Sequence, residues 1–313
     1  MCSSDLRHRE LAASLEAWCE KHLPVEHDDL DDACISLVRA LGRAGLLKWS
    51  GADGGETLDV RALCLIRETL ARHDGLADFA FAMQGLGMGA VSLFGTTEQR
   101  QWLERARSGQ TLAGFALTEP ESGSDVANLS MTAAPCLGGF VLDGEKTWIS
   151  NGGIADVYLV FARSENITGA KGLSAFLVPA DTPGLEVAER LDTMAPHPLA
   201  RLRFRQVQLP QTALVGERGD GFRIAMSVLD VFRPTVGAAA LGFARRALDE
   251  TVARVKHRKV AGAALSELQM VQGHLAEMAL DVDASALLVY RAAWAKDTGA
   301  ARRSEEHTSE LPS

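Results

Sequence analysis

The sequence is poor in the residues that mark several common classes of protein. Its five cysteines are scattered without a C-x-x-C pair, so neither a disulfide framework nor a zinc pattern is predicted, and a reducing compartment is expected. Its eight histidines lack H-E-x-x-H spacing, and no metal site is expected. Basic residues are in deficit, because 32 Lys and Arg stand against 41 Asp and Glu. The resulting charge of -9 argues against a nucleic-acid partner.

Long hydrophobic runs are also missing from the sequence. We find no apolar run close to the roughly 20 residues of a membrane span, so a soluble protein without membrane insertion is expected. Arginine and alanine are abundant relative to lysine, which indicates a GC-rich bacterial source. A cytoplasmic location is expected. The hydrophobic fraction of 47% is that of an ordinary globular protein.

The two ends differ from the rest in composition. Arg303 to Leu311 reads RSEEHTSEL, and Cys2 to Leu6 reads CSSDL. Both resemble translated sequencing-adapter DNA, so we expect residues 1–6 and 303–313 to be non-native scars outside any fold argument. On this interpretation the natural protein continues beyond Arg302. A native polar tail at each end is the alternative.

Hydrophobic periodicity divides the chain into three regions. Residues 7–111 carry apolar residues at 3- and 4-residue steps, which predicts an all-helical N-terminal domain. Residues 112–217 change to a period of two and predict a middle β-domain, an antiparallel barrel or sandwich, with Asp143-Gly144 as the turn of a hairpin. Residues 218–302 return to helix and predict an incomplete C-terminal bundle. In its last helix an apolar seam from Leu268 to Val289 needs a partner. The fold class is therefore α+β.

Two segments of the middle region carry side chains suited to a flat cofactor. Phe115 to Asp125 reads FALTEPESGSD, an apparent strand that ends in a Pro/Gly turn. Its backbone N–H groups and hydroxyls can donate to the polar edge of a ring, and Gly123 permits close approach. Trp148 to Asn151 reads WISN and offers an indole that can cover a ring face. Each motif alone is weak, because a turn or a core tryptophan is the commoner explanation.

Together the two segments resemble the acyl-CoA dehydrogenase family, whose patterns there are close to T-E-P-x-x-G-S-D and W-I-[ST]-N-G. The resemblance extends to FGTTEQRQWL before the sheet and RPTVGAAALGFARRALDE after it. It implies FAD as cofactor and an acyl-CoA thioester as substrate. The cofactor contacts that it implies are Phe115, Leu117, Thr118, Gly123, Ser124, Trp148, Ile149, Ser150, Arg258 and Gln269. It implies substrate contacts at Ser124, Asp230 and Arg233.

The implied reaction is an α,β-dehydrogenation with hydride transfer to flavin N5. Electrons then pass to an electron-transfer flavoprotein, and Arg258 and Gln269 reach the FAD of a neighbouring subunit in a homodimer or homotetramer. Some family members place the catalytic glutamate where this chain has Phe232, which cannot accept a proton. Most members carry it much further along the chain, so the resemblance implies a glutamate beyond Arg302, and no catalytic residue is assigned here. The family's final helices, which bind the cofactor, would also lie beyond Arg302, so weak FAD binding is expected.

Departures from the family pattern leave other functions open. Ala261 stands where the family has an aromatic residue, and Ala195 to Leu199 replaces a Ser/Thr-containing loop with a stiffer one. His197 in that loop could line a pocket, although a lone loop histidine is more often structural. The alternatives are an oxygen-using flavoenzyme of the same superfamily, an enzyme acting on a carrier-protein thioester, and a non-catalytic oligomer that binds acyl-CoA.

Overall fold

The computed structural model describes residues 6–53 and 56–300, in which helices precede and follow a block of strands. The first helices are α1 (Leu6–His22), α2 (Leu30–Arg43), α3 (Val60–His73), α4 (Gly75–Phe94) and α5 (Arg100–Arg107). The strands are β1 (Ala113–Ala116), β2 (Thr132–Cys136), β3 (Gly139–Ser150), β4 (Val157–Arg163), β5 (Leu173–Pro179), β6 (Leu185–Arg190), β7 (Leu199–Pro210) and β8 (Leu214–Val215). Helix α6 (Gly221–His257), the hairpin β9 (Lys259–Val260) and β10 (Ala263–Ala264), and helix α7 (Gln269–Thr298) follow.

This order of helices, strands and helices confirms the predicted α+β class. The proposed non-native ends lie outside the described residues, except for Leu6, which begins α1. The predicted domain limits near residues 111 and 217 stay predictions.

The helices begin where the sequence supplies caps. The carboxylate of Asp29 accepts the backbone N–H of Asp32 at the start of α2, and Asp59 does the same for Ala62 at the start of α3. These bonds satisfy donors that a helix leaves unpaired in its first turn. Burial in α2 then follows the helical repeat, with Cys34, Leu37, Val38 and Leu41 on its inner face.

The middle strands form one mixed sheet. Its order is β6–β7–β3–β2–β4–β5–β8, and β1 pairs with β4. Strands β1 and β2 run parallel to β4, while the other pairings are antiparallel. The expectation of a purely antiparallel sheet is therefore wrong for these two pairs. Strand alternation indicates which face of a strand is buried, but it carries no information on strand direction.

The predicted hairpin at Asp143-Gly144 is also wrong. Strand β3 runs through this dipeptide, and the true hairpin lies at Leu137-Gly138, because Cys136 pairs with Gly139. Gly144 has φ 143°, and the register against β7 shifts between Leu142 and Gly144. The Asp143 carboxylate accepts the backbone N–H of Gln206 at 3.0 Å. The dipeptide therefore makes a β-bulge, which shares the residue preferences of a tight turn.

The chain divides into two compact units. The first contains the described residues of Met1–Pro24, Asp59–Asp78 and Val231–Ser313. Within it, Glu68 of α3 accepts the Tyr290 hydroxyl of α7 and the Arg245 guanidinium of α6, each at 2.6 Å. The second contains the described residues of Val25–Leu58 and Phe79–Asp230, with the sheet and its core of Phe140, Leu142, Phe176 and Phe204.

Two helices correct the statement that no apolar segment approaches the length of a membrane span. Gly75–Phe94 and Gly221–His257 are long and apolar enough by length and composition alone. In the first helix 78% of the tested stretch is buried, as in the core helix of a globular protein. The absence of membrane insertion stays a prediction.

Candidate functional site

The end of β1 lies alongside the end of β3, which brings the two predicted segments together. The Asn151 amide donates to the carbonyl of Ala113 at 2.9 Å. The backbone N–H of Thr147 donates to the carbonyl of Thr118 at 3.0 Å. Thr118 and Trp148 are therefore neighbours across two hydrogen-bonded chain segments, as a shared binding surface requires.

Trp148 departs from the regular geometry of its strand. The pairing of β3 with β7 shifts between Lys146 and Ile149, and within this bulge Trp148 has φ 56°. A left-handed backbone costs a non-glycine residue roughly 1–2 kcal/mol. The side chain of Trp148 is 56% exposed, while Thr147 and Ile149 are buried. The bulge thus presents a flat indole at the surface, where a ligand can cover it.

The turn after β1 is held by its own backbone. Glu119 and Ser122 exchange N–H to carbonyl bonds of 2.9 and 3.1 Å, and the Ser122 hydroxyl donates to the carbonyl of Asp125. Gly123 follows this tight loop and is exposed. A Cβ added there would meet only the Cγ2 atom of Thr118, at 4.0 Å. No contact within the described chain requires a glycine at this position, so the surface at Gly123 is open to a close ligand.

Hydroxyl groups of both segments remain available to a ligand. Among residues 6–53 and 56–300, no group hydrogen-bonds with the hydroxyls of Thr118, Ser124 or Ser150. Other predicted contacts point into the protein: Ile149 is 1% exposed, and the ring of Phe115 packs on Phe161 with centroids 5.2 Å apart. Those residues, and the buried Leu117, can reach a ligand mainly through backbone atoms.

A buried ion pair behind this surface was not predicted from the sequence. Lys146 is fully buried, and its Nζ donates to Glu119 at 2.8 Å and to the carbonyl of Leu117 at 2.9 Å. Glu119 also accepts the Ser130 N–H and hydroxyl and the Met131 N–H. The sequence contained a signal for it, because Lys146 continues the alternation that begins with buried apolar residues in β3. A lysine at a buried position needs a polar partner.

The two groups of the pair influence each other's protonation. Burial lowers the pKa of Lys146 to about 8, and the charge of Glu119 opposes that change. Burial alone would raise the pKa of Glu119. The charge and hydrogen bond of Lys146, together with the hydrogen bonds from the Ser130 N–H and hydroxyl, hold that pKa below its usual range. Both groups are therefore charged at neutral pH.

The loop before β7 is fixed to the end of β3. The backbone N–H of Asn151 donates to the carbonyl of Pro198 at 2.9 Å, and Ser150 pairs with Leu199. The ring of His197 packs at a tilt against that of Phe79 with centroids 4.6 Å apart, and its Nδ1 lies 2.8 Å from the carbonyl oxygen of Ala195. That oxygen can only accept, so Nδ1 carries the proton in the neutral ring and Nε2 is the basic nitrogen.

The remaining predicted residues lie on or beside helices α6 and α7. Asp230 is half-buried and Arg233 is exposed on α6, and Phe232 between them is 5% exposed. Arg258 follows α6, and its carbonyl accepts the backbone N–H of Leu265 at 2.8 Å. Gln269 begins α7, and both it and Arg258 are exposed. Their roles toward a substrate or a neighbouring subunit stay predictions.

Comparison with known proteins places the whole chain in one family. Profiles of the acyl-CoA dehydrogenase N-terminal, middle and C-terminal domains match residues 5–110, 114–207 and 219–309 in succession. The human mitochondrial short-chain specific acyl-CoA dehydrogenase is 36% identical over 303 residues, which cover 93% of this chain and 73% of that protein.

Solved structures agree with this match. Butyryl-CoA dehydrogenase from Megasphaera elsdenii superposes with a TM-score of 0.84 at 32% identity, covering 94% of this chain and 80% of that one. The FAD complex of PigA superposes with a TM-score of 0.83 at 28% identity, with the same coverage of 94% and 80%. The chain therefore belongs to the acyl-CoA dehydrogenase family of FAD-dependent oxidoreductases.

Proposed function

We propose that the surface formed by the ends of β1 and β3 holds the isoalloxazine ring of FAD. The observation that carries the proposal is the bulge at Trp148, which turns a planar side chain outward beside Thr118. The donors suit the ligand, because the ring is flat on both faces and polar along one edge. Trp148 covers a face, the Thr118 and Ser150 hydroxyls donate to the edge, and Gly123 and Ser124 let the backbone approach. Arg258 and Gln269 are proposed to contact the FAD of a second subunit.

The proposed reaction is the α,β-dehydrogenation of a short-chain acyl-CoA. The relatives named short-chain acyl-CoA dehydrogenase and butyryl-CoA dehydrogenase support this substrate class. When bound, FAD supplies the hydride acceptor, N5 of its ring. Ser124 is proposed to lie where the cofactor and the thioester meet, and Asp230 and Arg233 to contact the CoA portion. An electron-transfer flavoprotein is the proposed acceptor of the electrons.

No residue of the described chain is proposed to accept the α-proton. Phe232 is apolar and nearly buried, so it cannot accept a proton. Asp230 lies two residues earlier on the same helix, about 200° away around its axis. The sequence-based expectation of a glutamate beyond Arg302 stays a prediction.

Cofactor binding and reduction test the proposal separately. Apoprotein titrated with FAD should quench flavin fluorescence to saturation. Where the glutamate predicted beyond Arg302 is present, butyryl-CoA should bleach the visible flavin bands under anaerobic conditions. Trp148→Ala should weaken FAD binding about tenfold, since it removes a stacking face. Trp102→Ala is the matched control, because Trp102 lies on α5 against Arg105 and should leave the affinity unchanged.

The outcomes distinguish the alternatives. Saturable FAD binding without bleaching by any acyl-CoA, in a protein that carries the glutamate predicted beyond Arg302, would favour the non-catalytic oligomer. Hydrogen peroxide formed in air at the rate of substrate loss would favour an oxygen-using flavoenzyme. Equal loss of affinity in the Trp148 and Trp102 variants would contradict the placement of the ring on this surface.

A further inference from the structure

We infer that the buried Glu119–Lys146 ion pair is a positioning device for the flavin surface, an inference that rests on the proposed function. The pair links three segments of the second unit. Lys146 belongs to β3, Glu119 follows β1, and the Ser130 and Met131 groups that donate to Glu119 lie just before β2. No residue in it is proposed to touch the cofactor.

The hydrogen bonds of Lys146 hold the residues immediately before and after Thr118. Lys146 holds the carbonyl of Leu117 and the carboxylate of Glu119, the residues before and after Thr118. The next residue of β3, Thr147, donates its N–H to the carbonyl of Thr118 itself. The residue after that is Trp148. Two consecutive residues of β3 thus fix the segment that carries the Thr118 hydroxyl relative to the indole.

Stability alone is a weak reason for this arrangement. Removing both charges from water carries a large desolvation cost, and well-packed apolar residues of similar size often serve a fold equally well. An ammonium group offers something that an apolar side chain lacks, since it bonds a carbonyl and a carboxylate in fixed directions at once. Glu119 in turn engages the backbone N–H groups of Ser130 and Met131. The pair therefore fixes the direction in which the turn leaves β1.

A set of variants separates positioning from stability in the full chain. Lys146→Met and Glu119→Gln each leave the other charged group buried without its partner. Both variants should therefore lower the midpoint of thermal unfolding and weaken FAD binding. The double variant Glu119→Gln with Lys146→Met removes both charges, so its midpoint should return toward that of the wild type. Its dissociation constant for FAD should remain about tenfold or more above the wild-type value. The absorption bands of its bound flavin should also shift toward those of free FAD.

Leu142→Ala is the stability control. Leu142 lies in the sheet core on the same strand and is fully buried, so its truncation lowers the midpoint without changing the bonds around Thr118. It should bind FAD with the wild-type dissociation constant. The inference is overturned if the FAD affinity of the double variant recovers together with its midpoint, or if Leu142→Ala loses as much FAD affinity as the double variant. Either result leaves the proposed function standing. A wild-type apoprotein that does not bind FAD overturns the proposed function and this inference with it.

Discussion

At the scale of single residues, Gly123 differs from most other glycines of the middle region in having room beside it. A Cβ at Gly123 would meet a single atom at 4.0 Å, whereas one at Gly139 would lie 1.9 Å from the carbonyl oxygen of Leu209. We therefore expect Gly123→Ala to change the free energy of unfolding by less than about 0.5 kcal/mol. The added methyl should raise the dissociation constant for FAD about tenfold, because it occupies the space proposed for the cofactor. Thermal unfolding and flavin fluorescence titration measure the two effects.

Gly139→Ala provides the opposite case. Its methyl would collide with backbone, so it should destabilise the sheet by several kcal/mol. If Gly123→Ala binds FAD with the wild-type dissociation constant, the proposal that the cofactor lies close to this turn is contradicted.

The protonation of Lys146 gives a prediction for alkaline pH. Burial lowers its pKa to about 8 from an ordinary value of 10.5. Between these two pH values the unfolded chain holds more protons than the folded chain, so this group makes stability rise with pH. The rise ends above the ordinary pKa of lysine. Glu119 acts in the acid range: its pKa is lowered, so the stability that it contributes is present above its ordinary value of 4.5 and is lost as the pH falls.

Urea unfolding of the wild type and of the Glu119→Gln, Lys146→Met double variant measures the alkaline effect. Subtracting the double variant removes the contribution of other titrating groups. The difference in unfolding free energy should grow from pH 8 upward by at most a few kcal/mol. A difference that stays flat or declines would show that Lys146 keeps its proton throughout this range.

The residues of the site were only partly predictable from the sequence. Thr118, Gly123 and Trp148 stand out because hydroxyl, glycine and indole groups at strand ends suit a flat ligand. The left-handed backbone of Trp148 was not predictable, since it arises from a register shift between two strands distant in sequence. The partner of Lys146 was not predictable either, because 27 residues separate Lys146 from Glu119 in the sequence.

At the scale of elements, strand β3 shows how a turn motif can be overridden. Gly144 has φ 143°, and a Cβ there would lie 2.8 Å from Cγ of Met131. Gly144→Ala should therefore destabilise the protein by about 3 kcal/mol, because strain and crowding act together. Gly138 has φ 86° at the true hairpin but nothing within 4 Å of an added Cβ. Its alanine variant should cost only about 1 kcal/mol. Equal losses in urea unfolding would argue against a packed bulge at Gly144.

Local patterns were sufficient for elements whose burial follows one period. In the sequence, apolar and polar residues alternate from Leu202 to Leu209 and an apolar run extends from Val157 to Ala162, and these segments lie in β7 and β4. Strand β1 has four residues, too few for a pattern, and its parallel pairing with β4 depends on long-range contacts. Periodicity therefore predicted the elements better than the connections between them.

At the scale of the whole molecule, the composition of each compact unit could not have been predicted from sequence order. The first unit combines α1, α3 and α7 with the later part of α6, although the strands separate them along the chain. The half-buried cluster around Glu68 shows why: its partners Arg245 and Tyr290 lie 177 and 222 residues away. Such pairings depend on complementary shape and charge between helices that are distant in sequence.

Helix α7 carries a second apolar stripe besides the predicted seam. The seam is partly covered within its own unit, where Val289 lies 3.1 Å from the Cβ position of Gly237 and Val282 is buried, while Leu268 is 46% exposed. Leu280, Leu287 and Trp294 recur every seven residues, and they are 68%, 61% and 46% exposed in the described chain. A stripe with this spacing is suited to pack against another helix. The predicted homo-oligomer would cover it.

Charge placed on this stripe should therefore dissociate the assembly without unfolding the chain. Leu280→Glu with Leu287→Glu should reduce the mass measured by sedimentation toward that of one chain, because two like charges would face the partner helix. The thermal midpoint of the dissociated chain should change little, since both side chains are already exposed to water. Leu137→Glu with Met194→Glu is the matched control, because these side chains are fully exposed in the other unit. A wild type that sediments as one chain at every concentration, or a stripe variant with the mass of the control, would contradict assembly through α7.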